Sequence, residues 1–143
     1  MTELLKKTIL FVDDDEDDFL LLRDTFKERH PEVELQWAKD GEEAIDYLSK
    51  RGRFRGMPRP FLVLLDLNMP KLNGQEVLKT IRADSDICHI PVVVLTNSMS
   101  KDEACEAYRS GVTSFMRKPS GYKELLEFVD VFAKYWFEYS TLV

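Results

Sequence analysis

The chain has 143 residues, which is the usual length of a single globular domain. Its formal net charge of −6 speaks against binding to duplex nucleic acid, and no apolar run approaches the ~18–20 residues of a membrane span. Cys88 and Cys105 lack the spacing of metal ligands, and two isolated thiols suit a reducing compartment. We therefore expect one cytoplasmic domain over residues 1–143, without an output domain or a membrane segment.

Five segments have the composition of β-strands. Residues 8–12, 61–65 and 91–95 are almost wholly apolar, which is typical of central parallel strands covered on both faces. Residues 33–38 alternate between apolar and polar side chains, and residues 113–117 are short and mixed. These two segments are therefore predicted to be the edge strands.

Helical patterns separate the predicted strands. Apolar side chains recur every three or four residues around Phe19, Ala44 and Val77. Ser100 begins a capping box that predicts a helix over residues 100–110, and the last helix is predicted over residues 122–138. Strands that alternate with helices predict an α/β fold, a (βα)5 doubly wound parallel sheet of five strands.

One long loop, residues 49–60, precedes the third predicted strand. Its two glycines and two prolines interrupt both the helical and the strand-like spacing of apolar residues. We call residues 50–59 the basic loop, because they carry five cationic side chains and no acidic one. Such a loop is either a solvated surface segment or a docking surface for an acidic partner.

Polar side chains follow the strands at the edge of the sheet where ligands bind in open α/β folds. Asp13 and Asp14 follow the first strand, and Asp66 follows the third. Thr96 follows the fourth strand, and Lys118 lies near the end of the fifth. Each of these residues alone has an ordinary structural explanation, such as a helix cap or a solvated lysine. Their convergence at one edge indicates a site.

The predicted site has the chemistry of metal-assisted phosphoryl transfer. Neighbouring carboxylates repel one another, and a bound hard divalent cation such as Mg²⁺ offsets this repulsion. The alternative to a metal site is an acidic loop that only caps the following helix. A carboxylate beside Mg²⁺ can attack a phosphoryl group, which makes Asp66 the candidate nucleophile. Lys118 can neutralise the phosphoryl oxygens, and the Thr96 hydroxyl can donate a hydrogen bond to them.

These motifs resemble those of two-component response-regulator receiver domains. The resemblance covers essentially the whole chain and implies a flavodoxin-like sheet with strand order 2-1-3-4-5. The matching segments are Thr8-Ile-Leu-Phe-Val-Asp-Asp14, Leu65-Asp-Leu-Asn-Met-Pro70 with Gly74, Val92-Val-Val-Leu-Thr-Asn97, and Lys118-Pro119.

The resemblance also assigns roles to the site residues. It implies that Asp66 is the phosphoacceptor and that Thr96 and Lys118 contact the phosphoryl group. Phe115 is implied to be an aromatic switch residue coupled to Thr96, and the bond between Lys118 and Pro119 is implied to be cis. The implied Mg²⁺ site consists of Asp14, Asp66 and the backbone carbonyl of Asn68, with Asp13 implied to bind the metal through water.

The function implied is a phosphorylation-controlled switch in a phosphorelay. The domain would accept phosphate from a sensor histidine kinase and signal by protein contact, with self-phosphorylation and self-dephosphorylation as its only reactions. A degenerate receiver, which acts by contact without phosphorylation, is the alternative. A haloacid-dehalogenase-type phosphatase that uses Asp13 and Asp15 is disfavoured, because the chain is short and the third strand carries a better nucleophile.

A narrower resemblance comes from the long loop, from the segment His89-Ile-Pro-Val-Val-Val-Leu-Thr96 and from Tyr135-Trp-Phe137. These features are similar to the single-domain regulators of phytochrome-type histidine kinases in bacteria. A phytochrome-like kinase is therefore the expected partner.

The last predicted helix carries two apolar stripes, whereas a helix that packs on a sheet needs only one. The first stripe is Leu125, Phe128, Phe132, Tyr135 and Tyr139, and the second is Leu126, Val129, Ala133 and Trp136. The second stripe predicts a homodimer through the fourth helix, fifth strand and fifth helix. In the alternative, Trp136 and Phe137 fold back over the first strand and complete the monomer core. The predicted interface residues are Phe128, Phe132, Tyr135 and Trp136.

Overall fold

A computed structural model describes residues 6–66, 74–97 and 100–140. Within these ranges, five strands alternate with five α-helices. The strands are β1 (Lys7–Val12), β2 (Val33–Ala38), β3 (Leu62–Asp66), β4 (Val92–Thr96) and β5 (Ser114–Arg117). The helices are α1 (Glu16–Arg29), α2 (Gly41–Leu48), α3 (Gly74–Ala83), α4 (Lys101–Arg109) and α5 (Gly121–Ala133).

The five strands form one parallel sheet in the order β2-β1-β3-β4-β5. This confirms the predicted doubly wound fold and its strand order. All five residues of β3 and of β4 are buried, as their apolar composition predicts for strands covered on both faces. The edge strands β2 and β5 are only partly buried.

Helices cover both faces of the sheet, and alternate residues of β1 enter two separate cores. Ile9 and Phe11 pack with apolar side chains of α1 and α5. Leu10 and Val12 pack with apolar side chains of α2, α3 and α4. No helix in the described ranges is long and apolar enough to cross a membrane. Because all five strands are parallel, their carboxyl ends lie at one edge of the sheet.

The last helix differs from its prediction in how it ends and in which row of side chains it buries. α5 ends at Ala133 and continues as a π-helical segment, Lys134–Tyr139. Trp136 lies on the row that faces the sheet, together with Val129 and Phe132, at the i, i+3, i+7 spacing of one helix face. One continuous buried row therefore takes members from both predicted stripes.

This arrangement corrects the predicted dimer interface. Phe132 and Trp136 are only 2% and 8% exposed within the single chain, so their side chains are not available to a partner. Tyr135 is exposed, and Phe128 is half-buried. The Lys7 ammonium lies 5.2 Å from the ring centroid of Phe137 and donates to its carbonyl at 3.1 Å. The segment thus folds back over β1, as the alternative describes.

Trp136→Ala is expected to lower the free energy of unfolding by about 3–5 kcal/mol, because it removes a large buried side chain from the core shared by α1, α5 and the sheet. Urea denaturation measures this loss. Tyr139→Ala is the control, since Tyr139 is 73% exposed and its removal should change stability by less than about 0.5 kcal/mol. Equal losses in the two variants would contradict the placement of Trp136.

Candidate functional site

The loop after β1 holds Asp13 in a fixed, fully buried position. The backbone N–H of Asp13 donates to the carbonyl of Ala38 at 3.1 Å, which extends the pairing of β1 with β2. The Asp13 carboxylate accepts a hydrogen bond from the backbone N–H of Asp15 at 2.9 Å through Oδ1. Asp15 in turn caps α1 by accepting from the N–H of Asp17. These bonds leave Oδ2 of Asp13 directed to the site.

Trp37 on β2 supports the same loop from outside. Its indole N–H donates to the carbonyl oxygen of Asp13 at 2.8 Å, and its ring stacks on Phe19 of α1 with a centroid distance of 5.5 Å. Trp37 therefore ties β2, the loop and α1 together behind the acidic residues. The sequence predicts only an edge strand around Trp37, because a single tryptophan in an alternating segment carries no signal for this contact.

The structure brings three of the predicted metal ligands together. Asp13, Asp14 and Asp66 each offer a carboxylate oxygen, and these oxygens all lie within 4.8 Å of one another. Asp13 and Asp66 are buried, whereas Asp14 is exposed. The fourth predicted ligand, the carbonyl of Asn68, lies outside the described residues.

Lys118 completes the cluster from the end of β5. Its backbone N–H donates to the carbonyl of Thr96 at 2.8 Å, which extends the pairing of β4 with β5. Its ammonium donates to Oδ2 of Asp66 at 3.0 Å and lies 3.6 Å from carboxylate oxygens of both Asp13 and Asp18. The single positive charge of Lys118 therefore lies beside three carboxylates, and the remaining negative charge favours the binding of a further cation.

The bond between Lys118 and Pro119 is trans, because the described residues contain no cis peptide bond. The implied cis bond is therefore wrong for this chain. The trans isomer is the intrinsically favoured form of a bond that precedes proline.

The electrostatics of the cluster shift two pKa values. Burial alone would lower the pKa of Lys118, but the carboxylates of Asp66, Asp13 and Asp18 outweigh it and raise this pKa, so the amine stays charged. Burial raises the pKa of Asp13 to about 7, against the opposing effects of the Asp15 N–H and the Lys118 charge. Asp13 thus ionises at a cost that a nearby cation would remove.

The donor set fits a hard divalent cation. Oδ2 of Asp13 is buried and has no hydrogen-bond partner among the described residues. A buried carboxylate oxygen without a donor is costly, and coordination to a metal ion would satisfy it. Oxygen ligands from one or two carboxylates, with the remaining positions open to water and phosphate, are the set that Mg²⁺ prefers.

Thr96 and Phe115 lie on adjacent strands beside Asp66. Thr96 is the last residue of β4 and is buried, next to Leu95, which pairs with Asp66. Phe115 is 8% exposed and packs in the core beneath α4. Its backbone N–H donates to the hydroxyl of Tyr108 at 3.1 Å, a contact with α4 that no sequence motif indicates. Phe115 pairs with Val94, two residues before Thr96 on the neighbouring strand.

Comparisons with known proteins identify the family of this chain. Residues 9–130 match the response regulator receiver domain family. The chain is 38% identical over 136 residues to response regulator Rcp1 of Synechocystis, which covers 95% of this chain and 92% of Rcp1.

Solved structures of similar proteins have the same fold over nearly their whole length. The phosphorylated cyanobacterial phytochrome response regulator RcpA superposes with a TM-score of 0.86 at 34% identity, covering 96% of this chain and 98% of RcpA. The Mn²⁺-bound form of Rcp1 superposes with a TM-score of 0.84 at 37% identity, covering 96% of this chain and 99% of Rcp1. The narrower resemblance to phytochrome response regulators is thus confirmed, and the chain belongs to the response regulator receiver domain family of two-component signalling.

Proposed function

We propose that Asp66 accepts a phosphoryl group from the phosphohistidine of a sensor histidine kinase. The observation that carries this proposal is the contact between the Asp66 carboxylate and the Lys118 ammonium at 3.0 Å, beside the carboxylates of Asp13 and Asp14. A lone buried carboxylate would repel an incoming phosphoryl group. The ammonium offsets this repulsion at the oxygen that would be modified.

The proposed step is an in-line displacement at phosphorus. A carboxylate oxygen of Asp66 attacks the phosphorus atom and forms a P–O bond. The P–N bond to the donor histidine breaks, and the imidazole nitrogen leaves with the bonding electron pair. Lys118 stays next to the new acyl phosphate and neutralises part of its charge, while the Thr96 hydroxyl can donate to a phosphoryl oxygen.

The proposed metal ligands are Asp13, Asp14 and Asp66, with the Asn68 carbonyl as a further one. Mg²⁺, when bound there, supplies positive charge to the phosphoryl oxygens and to the reacting carboxylate. The bonds from Asp15 and Trp37 hold Asp13 in place without a metal ion, which supports its proposed role in the metal site. The Mn²⁺-bound form of the relative Rcp1 supports a divalent cation in this family.

A phytochrome-type histidine kinase is the proposed donor, because the relatives RcpA and Rcp1 match this chain over nearly its full length. We further propose that the receiver acts as a single domain and signals by protein contact once phosphorylated. On this proposal the chain is a phosphoacceptor switch, and its chemistry is limited to its own phosphorylation and dephosphorylation.

Phosphotransfer from a purified, radiolabelled phytochrome-type histidine kinase tests the proposed function. We expect the label to move from the kinase to this chain with Mg²⁺ present and to stay on the kinase when EDTA removes the metal. Transfer at an unchanged rate in EDTA would contradict the metal site. An absence of transfer from the kinase and from a small phosphodonor such as acetyl phosphate would favour the degenerate receiver.

Phosphorylation is also expected to hold Phe115 in its buried position through Thr96. When Thr96 turns toward the phosphoryl oxygens it leaves space that the aromatic ring fills, which shifts an equilibrium between two states. Fluorine NMR of protein labelled with fluorophenylalanine, with and without beryllofluoride, reports the Phe115 environment; Phe115→Leu assigns its signal. Thr96→Ala should abolish the change. A Phe115 signal that is identical in both states of the wild type would identify a static core residue.

A further inference from the structure

The basic loop, residues 50–59, is a folded segment with its cationic side chains on the outside. Its centre is the short 3-10 helix Gly52–Phe54, whose Phe54 side chain is buried against the ring of Tyr47 at a centroid distance of 5.3 Å. The Tyr47 hydroxyl donates to the carbonyl of Pro58 at 2.9 Å and fixes the far end of the loop. Because the backbone of the loop is already ordered, binding of a ligand to it would cost little conformational entropy.

Two of the five cations are engaged within the chain. The Arg53 guanidinium lies 2.8 Å from the Glu43 carboxylate and 4.6 Å from the ring centroid of Phe54. Arg51 lies 4.0 Å from the Asp46 carboxylate. The remaining three cations are exposed and form no ion pair with any residue in the described ranges: Lys50, Arg55 and Arg59.

The basic loop lies at the edge of the sheet opposite the acidic cluster. It leads into the amino end of β3, whereas Asp66 is the last residue of that strand. All strands are parallel, so the loop and the phosphoacceptor lie at opposite ends of the same strand. A partner on the loop would leave the region around Asp66 open.

We propose that the basic loop is a docking surface for an acidic segment of a partner protein, and that docking there does not depend on phosphorylation. The surface combines three unpaired cations with the exposed Pro58 and the half-buried Met57. Arginine and methionine are enriched in protein interfaces, and a carboxylate matches the planar guanidinium in two parallel hydrogen bonds.

A nucleic acid fits this surface less well than an acidic protein segment. Three free cations are fewer than the about 6–10 phosphate contacts of a typical nucleic-acid binder, so a continuous phosphate backbone would leave most of its charges unpaired. Glu43 and Asp46 beside the loop add local negative charge that a continuous phosphate backbone would meet.

Fluorescence anisotropy with a labelled peptide of alternating glutamate and leucine tests the proposal. At low salt, the wild type should bind the peptide with a dissociation constant that rises with ionic strength. The double variant Arg55→Glu with Arg59→Glu should bind at least about fivefold more weakly. The double variant Lys27→Glu with Lys79→Glu is the matched control, because it makes the same charge change at exposed sites on α1 and α3 and should bind like the wild type.

The proposal would be overturned if the wild type did not bind the peptide at ~1 mM, which is the limit of weak recognition. It would also be overturned if the two double variants lost peptide affinity equally. Tighter binding of a single-stranded oligonucleotide with the same number of charges would overturn it as well. Circular dichroism establishes that each variant is folded. Asp66→Asn should bind the peptide like the wild type, so the result does not depend on whether Asp66 accepts phosphate.

Discussion

Asp66→Asn is expected to abolish phosphorylation by acetyl phosphate and by the kinase. An amide oxygen is a far weaker nucleophile than a carboxylate, and the described structure offers no second buried carboxylate in contact with the Lys118 ammonium at hydrogen-bond distance. Intact-protein mass spectrometry measures the fraction of chains that carry a phosphoryl group. The wild type should be modified at one position and the variant at none.

Asp102→Asn is the control for this experiment. Asp102 is an exposed residue in the first turn of α4, so its loss removes one carboxylate without touching the site. This variant should be phosphorylated like the wild type. If Asp66→Asn kept the wild-type extent and rate of labelling, the assignment of the nucleophile would be wrong.

Asp13→Asn is expected to stabilise the metal-free protein at pH 8 and to remove its response to Mg²⁺. Burial raises the pKa of Asp13 to about 7 in the folded state, above its value in the unfolded chain. Full ionisation of the buried group therefore costs folding up to about 4 kcal/mol, and an amide of the same shape does not ionise.

The sign of the pH dependence follows from this shift. Because the folded-state pKa is raised, the folded protein holds the proton more tightly than the unfolded chain between about pH 4 and pH 7. The contribution of Asp13 to stability is greatest below this window and is lost as the pH rises through about 7. The stability difference between Asp13→Asn and the wild type should therefore grow from pH 5 to pH 8.

Urea denaturation at the two pH values, in EDTA and in saturating Mg²⁺, measures both effects. Mg²⁺ should raise the unfolding free energy of the wild type, because it binds the folded state, and should leave that of Asp13→Asn nearly unchanged. A variant that gains as much from Mg²⁺ as the wild type would show that Asp13 does not contribute to metal binding.

The fold was predictable because its strongest signals are long and simple. The apolar runs that became β3 and β4 have no polar side chain before their last residue, and such runs fit only strands covered on both faces. The same reasoning located the site, since residues after parallel strands must meet at one edge. Asp13, Asp66 and Lys118 lie together as predicted.

The supporting contacts could not be predicted, because they depend on side-chain direction in three dimensions. The bond from Trp37 to the Asp13 carbonyl and the bond from the Phe115 N–H to Tyr108 join residues without a shared motif. Arg82 is a further example. Its half-buried guanidinium donates to the carbonyls of Cys88, Ile90 and Gly111. In the sequence, by contrast, an arginine near the end of a helix indicates only a surface residue.

The last helix shows what apolar periodicity leaves open. Its apolar residues are dense enough to form more than one regular stripe, and the spacing alone does not say which stripe faces the sheet. In the structure the buried row runs through Leu125, Val129, Phe132 and Trp136, which takes members from both predicted stripes. The predicted dimer required a second apolar stripe to remain exposed, so it lost its main support when Phe132 and Trp136 proved to be core residues.

Direct mapping of the phosphoryl group on the wild type tests the central claim most directly. Borohydride reduces an aspartyl phosphate to homoserine, which tandem mass spectrometry locates in the sequence. After phosphotransfer in Mg²⁺, we expect homoserine at position 66 alone, and none when the reaction is run in EDTA. Homoserine at another aspartate, or a stable phosphoryl group on a histidine or serine, would contradict the account.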